Sequence, residues 1–252
     1  NVSMLPKLVP GEKTEDVFRL IIDEGIDVVE TSGRNPEPYV PLLKEAGVTI
    51  IHKVPSVRFA EKAQSVGVDM VAIVGAECGG HPGMDLVGSM VNLGLAERRL
   101  DIPWLIGGGV GTGAQIVAAL ACGAAGVVMG TRLLAAAELP AHQGYKDALV
   151  AAGERDTALT MQSVRNTIRT LKNETTETVA RLERENPEIG IDGLMPHVAG
   201  KIGREAYRTG DVSKGMLSAG QALGLLDRTE SFAEIAQTLE AEALRALARL
   251  RP

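Results

Sequence analysis

Apolar residues along the chain gather in five short blocks, at 26–31, 48–54, 69–75, 102–108 and 125–131. Each is rich in β-branched side chains and ends at a polar or glycine-bearing turn, which predicts five buried strands. The intervals at 55–66 and 111–122 have helical character, so the chain reads as successive strand–helix units feeding a parallel sheet. Gly25, Gly67 and Gly123, each just ahead of a strand, are predicted helix C-caps. Beyond 131 the rhythm changes. Residues 132–185 read as mainly helical and 186–224 as rich in glycine and turn signals. Residues 229–251 read as an amphipathic helix, with Phe232, Ile235, Leu239, Ala243, Leu244 and Leu247 recurring at helical spacing.

Five strands suit an open doubly wound sheet, or a barrel short of the eight it needs to close. The opening Asn1-Val2-Ser3-Met4 offers no evident first strand. The expected fold is therefore α/β, a TIM (β/α)8 barrel lacking its first strands in this chain, with a mainly helical C-terminal lid or insertion. The expected division is a barrel portion over 1–137, a helical lid over 138–224 and a last helix over 225–252 that returns to the barrel.

Composition narrows the reading. Aromatics make up only 3% of the 252 residues against 45% hydrophobic, so the core is expected to be Ala, Val, Leu and Ile. The net charge of -6 is spread without a basic stripe, which argues against nucleic acid as a partner. No apolar run reaches membrane-spanning length, and the first residues lack a signal-peptide pattern. Cys78 and Cys122 have no metal-ligand spacing; free thiols in a cytoplasmic protein are the expectation, with no metal.

Two strand ends carry candidate phosphate chemistry. The run Gly107-Gly108-Gly109-Val110-Gly111-Thr112-Gly113-Ala114 joins a strand to a helix, where glycines admit close approach and a helix N-terminus supplies N–H groups. Its second half matches the dinucleotide pattern G-x-G-x-x-A. That pattern needs an acid about 20 residues on for the ribose, and none stands between Asp101 and Glu138, so a Rossmann site is rejected. The next strand ends in Gly130-Thr131. Adjacent late strands ending in Gly-Gly and Gly-Thr form the phosphate site of barrels, which assigns that role to Gly107, Gly108, Gly109, Gly130 and Thr131.

A third strand end runs into Gly75-Ala76-Glu77-Cys78-Gly79-Gly80-His81-Pro82-Gly83. Histidine as a residue type ordinarily titrates near neutrality, so His81 is a candidate for proton transfer. This loop, with Ile106 to Gly109, Met129 to Thr131, the run Ser163-Val164-Arg165-Asn166-Thr167 and the tract from Gly203 to Gln221, resembles the nitronate monooxygenase (2-nitropropane dioxygenase) family. Related FMN-dependent NAD(P)H:quinone reductases share the Gly-Gly-His loop.

The resemblance implies FMN as cofactor and His81 as the catalytic residue. It places Lys53 near the flavin pyrimidine carbonyls, and Gly80, Ser218 and Gln221 at the flavin. Glu77 either orients His81 or serves as a turn carboxylate. The implied reaction is oxidation of a small nitronate with O2. The alternative is quinone reduction with NAD(P)H as co-substrate; flavin-dependent enoyl-ACP reduction and non-catalytic flavin binding are further readings. The Cys78 wording is nearest the quinone-reductase branch, since many of the monooxygenases have Ala there. The family's third strand ends near an Asn, which Asn1 matches. A homodimer is left open.

Overall fold

The computed structural model describes residues 1–4, 11 and 13–250. Six strands, β1 (Val2–Ser3), β2 (Val28–Ser32), β3 (Thr49–Val54), β4 (Met70–Val74), β5 (Trp104–Gly107) and β6 (Gly126–Val128), form one sheet in sequence order, every pair parallel. Helices α1 (Thr14–Asp23), α2 (Val40–Glu45), α3 (Val57–Ser65), α4 (Ser89–Arg99) and α5 (Gly113–Ala121) fill the five crossovers. A doubly wound sheet reverses its strand order at a switch point. No reversal occurs here, and the topology is that of a barrel wall.

All five apolar blocks enter this sheet. The sixth strand, β1, is a correction: two residues are too few to show alternation, and Val2 and Ser3 become strand by pairing with Thr31 and Ser32. The centre of the sheet is the most apolar. Val71, Ala72 and Ile73 of β4 are completely buried, as expected for a parallel strand covered on both faces. Phe18, Leu43, Val57, Ala60 and Ala96 bring the helices onto Ile50 and Ile106 of the neighbouring strands.

The helix ends share one device. After α1, α2, α3 and α5 a glycine at positive φ (Gly25, Gly47, Gly67, Gly123) breaks the helix. The next residue then bonds back to the last turn, as Ile26 N to Ile21 O at 3.1 Å and Ala124 N to Ala119 O at 3.1 Å. These tight exits aim each chain segment straight into its strand.

After β6 a 3₁₀ turn (Thr131–Leu133) leads to α6 (Gln143–Ala151), β7 (Thr157–Thr160), β8 (Ile168–Leu171), α7 (Glu174–Glu185), α8 (Ile191–Val198), α9 (Gly200–Thr209), a second 3₁₀ turn (Gln221–Leu225) and α10 (Phe232–Leu250). The expectation that 132–185 is mainly helical needs correcting, because β7 and β8 form an antiparallel hairpin within it. Each strand is four residues long, and their pairing is fixed from outside: Arg169 bridges Gly80, and Thr170 bridges Ser218. Tertiary context of this kind overrides local preference.

Helix α10 packs on α5 at very short range. A Cβ on Gly113 would lie 2.0 Å from the carbonyl oxygen of Leu239, so only glycine permits this crossing. Among the described residues no helix is long and apolar enough to cross a membrane.

Candidate functional site

A cavity of about 610 Å³ opens where the parallel strands end. Ser3, Ser32, Val54, Val74 and Val128 line it, each the last residue of its strand, together with Gly108 just past β5. The volume is that of a small-molecule site, and the C-terminal strand ends are where barrels place their chemistry.

One wall is made of glycine-rich turns. Gly108, Gly109, Gly130 and Thr131 all face the cavity. Their four backbone amides have no hydrogen-bond acceptor among the described residues. The amides further along the same run are already engaged. Gly111 and Thr112 donate to Gln115 Oε1 at 2.8 and 3.0 Å, and Gly113 donates to Glu242 of α10 at 2.7 Å. The anion-attracting end of α5 is thus satisfied internally, and the free donors are those of the turn preceding it. A Cβ on Gly130 would meet nothing within 4 Å, so this position opens into space a ligand can fill. Free amides converging from two adjacent strand ends fit a phosphate group.

The adjoining part of the wall is the loop after β4. His81 stands at its exposed edge, with no hydrogen-bond partner among the described residues. The protein packed beneath the ring still desolvates it and holds the imidazole below its usual pKa. The loop is fixed backbone to backbone. Gly79 lies against Ala219 and Gly220, where a Cβ would come within 2.6 Å of the Ala219 carbonyl carbon. Gln221 N donates to Glu77 O at 2.9 Å, and Gly220 N donates to Thr131 Oγ1 at 2.9 Å. The segment carrying Ser218 therefore ties the histidine loop to the glycine wall, and Ser218 itself lines the cavity.

The other anticipated residues divide. Lys53 and Gly80 line the cavity, and Lys53 Nζ donates to Glu30 Oε1 at 2.5 Å. Glu77, Gly107 and Gln221 are not in its wall. Glu77 turns towards α4, accepting from Ser89 N at 3.0 Å and Ser89 Oγ at 2.9 Å, and so serves the helix start rather than His81. Gly107 is held by the sheet, where a Cβ would crowd Val128 O at 2.9 Å. With Glu77 averted, no acidic side chain lines the cavity among the described residues, although the chain has 32 acidic residues against 26 basic.

Cys78 also lines the cavity; burial pushes its thiol up to about 11, which keeps it protonated and unreactive. His52 is buried on β3, bonded through Nδ1 to Thr31 Oγ1 at 2.8 Å, and burial pulls it down to about 4. It belongs to the core.

Sequence reasoning missed Arg169. Its guanidinium donates twice to Ala76 O, at 3.2 and 3.0 Å, and once to Thr157 Oγ1 at 3.0 Å. It anchors the start of the histidine loop from below. Residues 165–167 also reach the cavity wall. The run Ser163-Val164-Arg165-Asn166-Thr167 signalled their importance but not their place.

A parallel α/β protein with its cavity at the strand ends defines the class: a protein of the TIM-barrel type. The chain belongs to the nitronate monooxygenase family, whose model matches residues 10–242. A probable nitronate monooxygenase of Staphylococcus saprophyticus is 29% identical over 234 residues, which cover 89% of this chain and 65% of that protein. The structure of FabK from Thermotoga maritima matches with a TM-score of 0.89 at 30% identity, over 99% of this chain and 76% of that one. Nitroalkane oxidase from Streptomyces ansochromogenes matches with a TM-score of 0.77 at 25% identity, over 94% and 70%. The chain spans 65% and 58% of the lengths of two curated relatives it matches.

Proposed function

We propose that this chain is the cofactor- and substrate-binding part of an FMN-dependent oxidoreductase that oxidises small nitronates with O2. The observation that carries the reading is that four unengaged amides, at Gly108, Gly109, Gly130 and Thr131, and the imidazole of His81 line one cavity. Family membership supports the same reading.

Gly108, Gly109, Gly130 and Thr131 would hold the phosphate of FMN, with the Thr131 hydroxyl proton free to donate while its oxygen accepts from Gly220. When bound, FMN supplies the electron acceptor. The lack of acidic residues in the wall leaves the phosphate and a nitronate unopposed by like charge. Lys53 adds a cation at the end of β3, braced by Glu30. His81 handles the proton. Its lowered pKa leaves a ring nitrogen unprotonated at neutral pH, able to take the proton from the carbon bearing a nitro group. Residues 138–224 contribute Arg165, Asn166, Thr167 and Ser218 to the wall, which supports a substrate-covering role for that region.

Two measurements on purified protein test this. Mass spectrometry of the released chromophore is expected to give FMN; an FAD mass overturns the phosphate assignment. Anaerobic mixing is expected to bleach the flavin with an alkyl nitronate. Bleaching by NADH or NADPH with none by nitronate replaces the proposal with the quinone-reductase reading.

A further inference from the structure

The turn at Gly108 and Gly109 has no side chain to set its direction. Both residues sit at positive φ, 93° and 74°, where glycine moves freely and the peptide between them can rotate at little cost. Its orientation has to come from hydrogen bonds. In a planar trans peptide the carbonyl and the N–H point in opposite directions. Whatever group holds the Gly108 carbonyl therefore decides where the Gly109 N–H points.

That group is the hydroxyl of Ser89, the first residue of α4. Ser89 Oγ lies 2.8 Å from Gly108 O, 2.9 Å from Glu77 Oε2 and 3.0 Å from Gly107 O. One hydroxyl proton thus serves three oxygens. Two of them have a further donor: Gly107 O accepts from Gly75 N at 2.9 Å, and the Glu77 carboxylate accepts from Ser89 N at 3.0 Å. Gly108 O has no other donor among the described residues. The next carbonyl, Gly109 O, is held separately by Gln115 Nε2 at 2.9 Å. The peptide between Gly108 and Gly109 therefore depends on Ser89 alone. Space for the hydroxyl is cleared on two sides. A Cβ on Gly75 would lie 2.2 Å from Ser89 Oγ, and one on Gly108 would lie 2.8 Å from it. Ser89 is buried and does not line the cavity, so it reaches a ligand only through the turn.

We propose that Ser89 is a positioning residue of the phosphate-binding wall: its hydroxyl holds the Gly108 carbonyl from behind and so aims the Gly109 N–H into the cavity. The proposal rests on the reading of this wall as the FMN phosphate site and adds the residue that orients one of its donors. Without the hydroxyl the Gly-Gly peptide is free to turn its carbonyl towards the phosphate, which replaces an attraction with a repulsion.

The test uses FMN and riboflavin, which differ by the phosphate alone. Flavin is removed from the purified protein, and each compound is titrated back by quenching of its fluorescence. Wild type is expected to bind FMN at least about 100-fold more tightly than riboflavin. In Ser89→Ala, FMN affinity is expected to fall by about 10- to 100-fold, the worth of a hydrogen bond to a charged group, with riboflavin affinity unchanged. Ser89→Thr keeps the hydroxyl and is expected to recover at least part of the preference for FMN. A role confined to packing would weaken both flavins alike, and an equal loss for the two in Ser89→Ala overturns the proposal. An unchanged FMN-to-riboflavin ratio in Ser89→Ala, or the same ratio in the Ala and Thr variants, also overturns it while leaving the phosphate reading intact. If Ser89→Ala shows no cooperative urea unfolding, the residue determines the fold rather than aiming a donor, and the proposal fails. Equal affinity of wild type for FMN and riboflavin overturns the phosphate reading itself, and the role of Ser89 with it.

Discussion

Arg169 and Gly80 exchange two main-chain hydrogen bonds, Arg169 N to Gly80 O at 2.7 Å and Gly80 N to Arg169 O at 2.9 Å, while the Arg169 side chain holds Ala76 O. One residue therefore fixes the histidine loop at both ends. Arg169→Met keeps the main-chain bonds and leaves the Ala76 carbonyl and Thr157 hydroxyl unpartnered. The expected loss of stability is about 3 kcal/mol, read from urea unfolding. Nitroalkane turnover is expected to fall in the same variant because His81 loses its support. Stability and turnover equal to wild type would show that the clamp is dispensable.

Gly130→Glu is expected to fold normally and fail to retain FMN. The backbone there, φ −112° and ψ −66°, does not require glycine, and a Cβ meets nothing within 4 Å. The new carboxylate would occupy the phosphate position and repel it. Flavin content after gel filtration, alongside a wild-type circular dichroism spectrum, is the measurement. A full complement of FMN would displace the phosphate site from this wall.

His81→Asn is expected to keep FMN and part of its activity on a pre-formed nitronate. On the neutral nitroalkane, kcat/KM is expected to fall by about 10²–10⁴-fold, the usual worth of a general base. The pH profile carries the same assignment. Because the imidazole is held below its ordinary 6.5, it stays a base through neutrality. The acid limb of nitroalkane activity is therefore expected below pH 6.5, and to vanish in the variant. Equal kcat/KM values in both proteins would make His81 a bystander.

His52 makes stability depend on pH. Its folded pKa, about 4, lies below the unfolded 6.5, so between those values the unfolded chain binds the extra proton. Stability is full above pH 6.5 and falls as pH drops towards 4, by about 3 kcal/mol if this residue acts alone. Urea midpoints at pH 7 and pH 4.5 are expected to differ in wild type and to converge in His52→Gln. An identical slope in the variant would assign the acid sensitivity to other groups.

The sheet was legible because its strands are apolar, β-branched and closed by glycine or polar turns, and because Gly25, Gly67 and Gly123 mark the helix exits that feed them. The histidine loop and both glycine turns were legible for a related reason: each directly follows a strand. Val2–Ser3 was not, since two residues become strand only beside Thr31 and Ser32. Nor was the β7–β8 hairpin, whose Arg169 and Thr170 look unremarkable in sequence and gain their meaning from Gly80 and Ser218, roughly 90 residues earlier and 48 later. Glu77 shows the limit from the other side. Its neighbours in sequence left it open between orienting His81 and serving as a turn carboxylate, and its partner is Ser89, twelve positions on.

The crossing of α5 and α10 divides the glycine-rich run between two masters. Gly108 and Gly109 belong to whatever the cavity binds, whereas Gly113 belongs to the scaffold, wedged under Leu239 with its amide taken by Glu242. A methyl group at 113 would push the last helix off the wall and reach the cavity only through that displacement. Gly113→Ala should therefore melt early while its surviving folded fraction still binds flavin, the inverse of the behaviour expected of Gly130→Glu. Thermal melting with flavin content measured on the same samples separates the two, and a Gly113→Ala protein that melts like wild type but arrives colourless would return this glycine to the ligand. Neighbouring glycines in one motif thus fail by different routes.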